Sequence, residues 1–89
     1  MDVKTLIDTA SKVCSQTQAQ LAAEMGKSPA RLSDWRKGHW KPDANEIAFL
    51  AHKAKLPVLE TVAELESALN PMYGAIWKEA VSQLRQNQG

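Results

Sequence analysis

The sequence predicts an all-α domain, and three observations carry that expectation. Apolar residues recur three and four apart along most of the chain. No stretch shows the two-residue β-branched alternation of a strand. Cap residues, prolines and glycines fall between the periodic runs, where helices start and stop. At 89 residues the chain makes one domain, large enough to hold a core without disulfide or metal staples.

The elements follow in order. Helix one runs from about Asp2, its cap, to Cys14, with Val3, Leu6, Ile7 and Ala10 on one face. Cys14 continues that face and is expected to be a buried structural thiol. Thr17 caps helix two, and Gln20 three residues on completes a capping box. Leu21 and Met25 share a face of this helix, and Ala22 is small enough for a second helix to cross closely. Gly26 falls where the chain must reverse through positive φ. Ser28 then caps helix three, Pro29 takes its first position, Leu32 and Trp35 turn inward, and Gly38 ends it.

Helix four starts after Asp43, whose spacing to Glu46 forms a second capping box. Its apolar face is Ile47, Leu50, Ala51 and Ala54. Leu56-Pro57 breaks the chain, and helix five carries Val58, Val62, Leu65 and Leu69. Asn70 and Pro71 are expected as cap and first residue of a sixth helix burying Tyr73, Ile76, Trp77, Ala80 and Leu84. Only the final Asn-Gln-Gly is expected to fray.

Charge is unevenly distributed. Residues 27–41 hold Lys27, Arg31, Arg36, Lys37 and Lys41 against Asp34 alone, while the segments before and after are slightly acidic. The whole chain reaches only +1. A basic patch on an acidic body suits phosphate binding on one face. The same five cations would also serve as an ordinary solvated helix surface. No apolar run is long enough to span a membrane, and no signal-peptide pattern opens the chain. A cytoplasmic location is expected, and the single cysteine fits a reducing compartment.

Catalysis finds no support. His39 and His52 stand thirteen residues apart without a ligand partner, and no glycine-rich phosphate loop is present. Glu60, Glu64 and Glu66 read as a solvated face of helix five. Neither a metal nor a cofactor is expected.

Residues 17–42 make two short helices joined by a tight turn, the shape that sets one helix in a DNA major groove. Through Gln18, Leu21, Ala22, Gly26, Ser28, Leu32, Trp35, Gly38 and Pro42 the stretch resembles the helix-turn-helix of the lambda-repressor and Cro-like (XRE) family of DNA-binding regulators. The likeness extends through the helix at 45–56 and more loosely to Trp77, and the tail resembles small prophage regulators. Lys27, where an apolar residue is usual, and Trp35, bulkier than the usual aliphatic, depart from the pattern. A lysine stem can nevertheless lie along apolar surface with its amine in water.

The resemblance implies a five-helix lambda-repressor-like domain over residues 1–70, its motif at 17–38. Residues 71–89 would add a C-terminal helix that covers the core or mediates dimerisation. It further implies a cytoplasmic transcriptional regulator of phage or prophage type, a repressor binding double-stranded DNA as a homodimer on an inverted repeat. The alternative is an antitoxin or adaptor whose C-terminal helices hold a protein partner.

Expected base contacts are Pro29, Ala30, Arg31, Ser33 and Asp34. Arg31 is placed for bidentate readout of guanine, with a phosphate contact as its alternative. Pro29 and Ala30 offer only apolar contact to thymine methyls. Asp34 either accepts from a cytosine amino group or steadies Arg31 or Lys37. Expected phosphate contacts are Gln18, Lys27, Ser28, Lys37, His39 and Lys41. Trp40 is expected to pack over the Gly38–Pro42 turn, and Arg36 to meet DNA or a carboxylate such as Glu24. Candidate dimer contacts are Tyr73, Ile76, Trp77 and Leu84.

Overall fold

A computed structural model describes residues 1–87, and all its regular structure is helical. The order is α1 (Val3–Cys14), α2 (Gln18–Glu24), α3 (Pro29–Lys37), α4 (Ala44–Lys53), α5 (Val58–Leu69), a 3-10 turn (Pro71–Tyr73) and α6 (Gly74–Asn87). The part of the tail expected to fray includes Gln88 and Gly89, which lie outside the described residues.

The boundaries have local causes. The Asp2 carboxylate accepts from Thr5 N–H at 2.7 Å, and that bond holds its carboxyl below the usual carboxylate range. Both capping boxes form, Thr17 with Gln20 and Asp43 with Glu46. Gly26 and Gly38 take φ of 69° and 79°, the left-handed region that an L side chain enters only with strain. Ser28 occupies the N-cap of α3, yet its hydroxyl makes no capping bond. There the proline at the first helical position supplies the start signal instead.

α1 is the hub. It packs on α2, α3 and α4; α4 packs on α5; and α5 packs on α6. Leu6, Ile7, Leu21, Leu32, Ile47, Leu50 and Leu65 are fully enclosed, and Trp35 is 2% exposed. Each such side chain contributes about 1.5–3 kcal/mol on leaving water. Cys14 is half-buried at the edge of this core and not enclosed as expected.

The C-terminal third departs from expectation. Val58 is exposed, and Thr61, Val62, Ala63 and Leu65 are the buried residues of α5. Asn70 does not cap a helix from Pro71: its amide reaches back to Glu66 Oε2 at 3.0 Å. The chain turns once as a 3-10 helix, and α6 begins at Gly74. That shift divides the expected apolar stripe. Trp77, Ala80 and Leu84 are half-buried, and Trp77 reaches the core. Tyr73 and Ile76 face solvent at 54% and 65% exposure, beside Met72 at 84%.

The two glycines at helix ends should respond oppositely to substitution. Gly38→Ala keeps open space around the new Cβ but places it in the left-handed region, costing about 1–2 kcal/mol. Gly74→Ala meets Ser67 O at 3.5 Å, an ordinary contact, at a normal helical φ. It should be neutral or stabilising. Urea midpoints of the two variants check the difference in sign.

Candidate nucleic-acid interface

α3 is nine residues long, too short to be stable alone, and is held as a helix by burying Leu32 and Trp35. Burial of that side forces the opposite side outward. Pro29, Ala30, Arg31 and Lys37 are exposed, and Ser33 and Asp34 are half-buried. The expected base contacts therefore lie together on one short helix. Gln18, half-buried, stands at the first position of α2, and Ser28 is exposed with its hydroxyl uncommitted to a cap.

The cations of residues 27–41 differ in what they have left to give. Lys27 Nζ lies 3.4 Å from Glu46 Oε2, whose other oxygen accepts from the Asp43 N–H. Arg36 pairs with Asp8 of α1 at 3.1 Å, and Glu24, its expected partner, is taken by Lys53 at 2.8 Å. The Lys53 ammonium holds the Glu24 carboxyl below its usual range. Lys41 donates to the Leu69 carbonyl at the end of α5, at 2.7 Å. That bond places a cation at a helix C-terminus and leaves its charge uncompensated. The Arg31 and Lys37 side chains have no ion pair or hydrogen bond among the described residues. His39 Nδ1 stands 3.9 Å from Asp34 Oδ1. Asp34 thus leans toward the loop, not toward Arg31 or Lys37. Three uncompensated charges remain, those of Arg31, Lys37 and Lys41.

Trp40 differs from expectation. Pro42 fills the buried place under the turn, and the Trp40 ring stands 66% exposed. Next to it, the start of α1 and the end of α3 enclose a cleft of about 330 Å³. A wider groove of about 780 Å³ runs between α5 and α6, with Glu60, Glu64, Lys78 and Arg85 on its walls. Arg85 meets Glu60 at 3.6 Å, and the terminal ammonium of Met1 meets Glu64 at 2.9 Å, which raises the ammonium's pKa.

Sequence reasoning missed Lys4, which borders the cleft from α1, and the link between Lys41 and Leu69. Neither has a local signal, because each depends on elements distant in sequence being folded together. No helix among the described residues is long and apolar enough to cross a membrane. Set against known protein families, curated proteins and solved structures, the chain matches none of them.

The Lys41 bond can be isolated by keeping the stem and removing the ammonium. Lys41→Met should speed amide exchange in the last turn of α5 by roughly two- to tenfold and leave α1 unchanged. Uniform acceleration throughout the chain would mean that the bond supports the whole fold instead.

Proposed function

We propose that this chain is a sequence-specific, double-stranded DNA-binding transcriptional regulator of the lambda-repressor and Cro-like kind. It acts in the cytoplasm as a phage or prophage repressor, binding an inverted repeat as a dimer and occluding a promoter. One observation carries the reading: α3 is locked on one side by Leu32 and Trp35 and presents Arg31 and Lys37, both unpaired, on its exposed surface. A helix held this way enters a major groove with its side chains already oriented.

The roles follow from chemistry. Arg31 donates two hydrogen bonds to a guanine edge, and Ser33 and Asp34 add polar discrimination beside it. Pro29 and Ala30 touch thymine methyls. Gln18, Ser28, Lys37 and His39 meet phosphates, with Lys41 adding charge from the loop after α3, where it rests on the last carbonyl of α5. Lys27 reaches a phosphate only by giving up Glu46.

Dimerisation suits the dimensions. The molecule measures 38 × 26 × 19 Å, so side-by-side copies set their centres 19–38 Å apart according to the axis that joins them. That range brackets the roughly 34 Å between half-sites one helical turn apart. Tyr73 and Ile76 are the most exposed of the candidate dimer contacts, since Trp77 packs against the core and Leu84 is half-buried. The same exposed residues favour the second reading, an antitoxin or adaptor whose main ligand is a protein.

A gel shift against DNA flanking its own gene tests the reading directly. The three uncompensated cations of residues 27–41, six in a dimer, predict that log affinity falls with log salt at a slope of roughly −5. Arg31→Ala should cost about 1–3 kcal/mol on the specific site and relax preference at one base. An equal loss on random DNA would make Arg31 a phosphate contact. No shift even at low salt, with a stable complex formed by a neighbouring gene's product, would favour the adaptor.

Ile76→Glu places a charge on the exposed apolar turn without touching the core. Sedimentation should then show a monomer where the parent chain is a dimer, with the helical circular dichroism spectrum unchanged. A parent chain that is monomeric at tens of micromolar would remove self-association through this surface.

A further inference from the structure

The cleft beside α3 holds a combination of groups that duplex binding does not require. Lys4 comes from the start of α1, Arg36 and Lys37 from the end of α3, and Trp40 and Lys41 from the loop after it. Its volume of about 330 Å³ lies at the small end of ligand sites, which begin near ~300 Å³. The carboxylate on its wall, Asp2, is committed to the Thr5 N–H. Arg36 is neutralised by Asp8, and Lys41 is anchored on Leu69 but keeps its charge. Lys4 and Lys37 have no hydrogen-bond or ion-pair partner among the described residues.

Beside these ammonium groups, the Trp40 ring is two-thirds in water. The ring offers a flat π-face, and the ammonium groups offer charged donors on the walls of the same cleft. A ligand matching both is aromatic at one end and anionic at the other. Paired bases are excluded, because their faces are already stacked within the duplex.

We propose that this cleft binds one nucleotide unit, its base stacked on Trp40 and its phosphate held by Lys4 and Lys37. The volume of about 330 Å³ suits a single unit. Two sources share this chemistry: a free mononucleotide, and an unpaired nucleotide at a strand end. Lys37 belongs to both this cleft and the duplex-facing side of α3, whereas Trp40 belongs to the cleft and Arg31 to the duplex side.

The test is an NMR titration of the full chain, read at the indole N–H of Trp40 in the parent chain and at the backbone amides of Lys4 and Lys37 in the parent and in every Trp40 variant. Trp40→Phe identifies that resonance among the three tryptophans. The probes are adenosine 5′-monophosphate, adenosine, inorganic phosphate and a short oligothymidylate. The nucleotide should move the Trp40 resonance with a millimolar or tighter dissociation constant. Removing the base or the phosphate should weaken binding by about tenfold or more, as should Trp40→Ala. Trp40→Phe, which keeps a ring, should retain part of the affinity. Tight binding of the mononucleotide identifies a free nucleotide as the source, and binding of the oligothymidylate alone identifies a strand end.

Arg31→Ala should leave nucleotide binding unchanged, so failure of the duplex reading is separable from failure of this one. Four results overturn the proposal: no probe moves Trp40, phosphate alone binds as well as the nucleotide, Trp40→Ala leaves affinity intact, or Trp40→Ala converts a dimer to a monomer. The last would make the ring a contact between copies.

Discussion

The apolar face of α1 is the constraint on which the rest of the structure depends. Leu6, Ile7 and Ala10 are fully enclosed, and α1 packs on α2, α3 and α4. α2 and α3 are seven and nine residues long, below the length at which a helix persists by itself in water. Their order is therefore borrowed from packing. Leu21 and Ala22 on α2 and Leu32 and Trp35 on α3 anchor them in the shared core. Once those residues are buried, the outward composition of α3 is no longer free. Whatever Pro29, Ala30, Arg31, Ser33, Asp34 and Lys37 do, they do from one short helix fixed by the core.

The ion pairs carry information about what remains available more than about stability. Exposed pairs of this kind contribute about 0–1 kcal/mol each. Asp8 with Arg36 and Glu24 with Lys53 nonetheless bridge elements far apart in sequence, and in doing so remove cations from the surface. Lys27 is withdrawn in the same way by Glu46. Five basic residues in fifteen become three uncompensated charges, two on α3 and one on the loop. The electrostatic face is smaller than composition implies, and its centre moves toward the C-terminal end of α3. That end also adjoins the Trp40 cleft.

Much of the fold was legible in the sequence because its helix ends are set locally. Asp2, the Thr17–Gln20 and Asp43–Glu46 boxes, Pro29 and Gly38 act on backbone groups within three residues, so spacing alone reveals them. The outward set on α3 was legible for the same reason, since helical periodicity assigns it once Leu32 and Trp35 are taken as buried. Contacts spanning long separations were not. Lys41 reaches a carbonyl twenty-eight residues away, and Arg36 finds Asp8 at the same separation. No periodicity encodes either. Trp40 was misread because a large aromatic next to a glycine-ended turn usually covers it, and here Pro42 already fills that place.

The start of α6 shows how one local choice changes a surface. The Asn70 side chain carries a donor, its amide N–H, and an acceptor, its carbonyl oxygen, which is the group a helix N-cap needs. The amide N–H donates to the Glu66 carboxylate one turn back, a charge-assisted bond, and the carbonyl oxygen makes no capping bond. Without that cap the chain passes through a 3-10 turn, whose tighter winding changes the angular position of every residue after it. Gly74 then lies against Ser67, and Trp77 and Leu84 turn toward the body of the molecule. Met72, Tyr73 and Ile76 are left in water as a direct result. α6 is thus neither wholly a cover nor wholly a free interface. Its inner stripe is satisfied within the chain, and the apolar turn at its start is the part still open to a second surface.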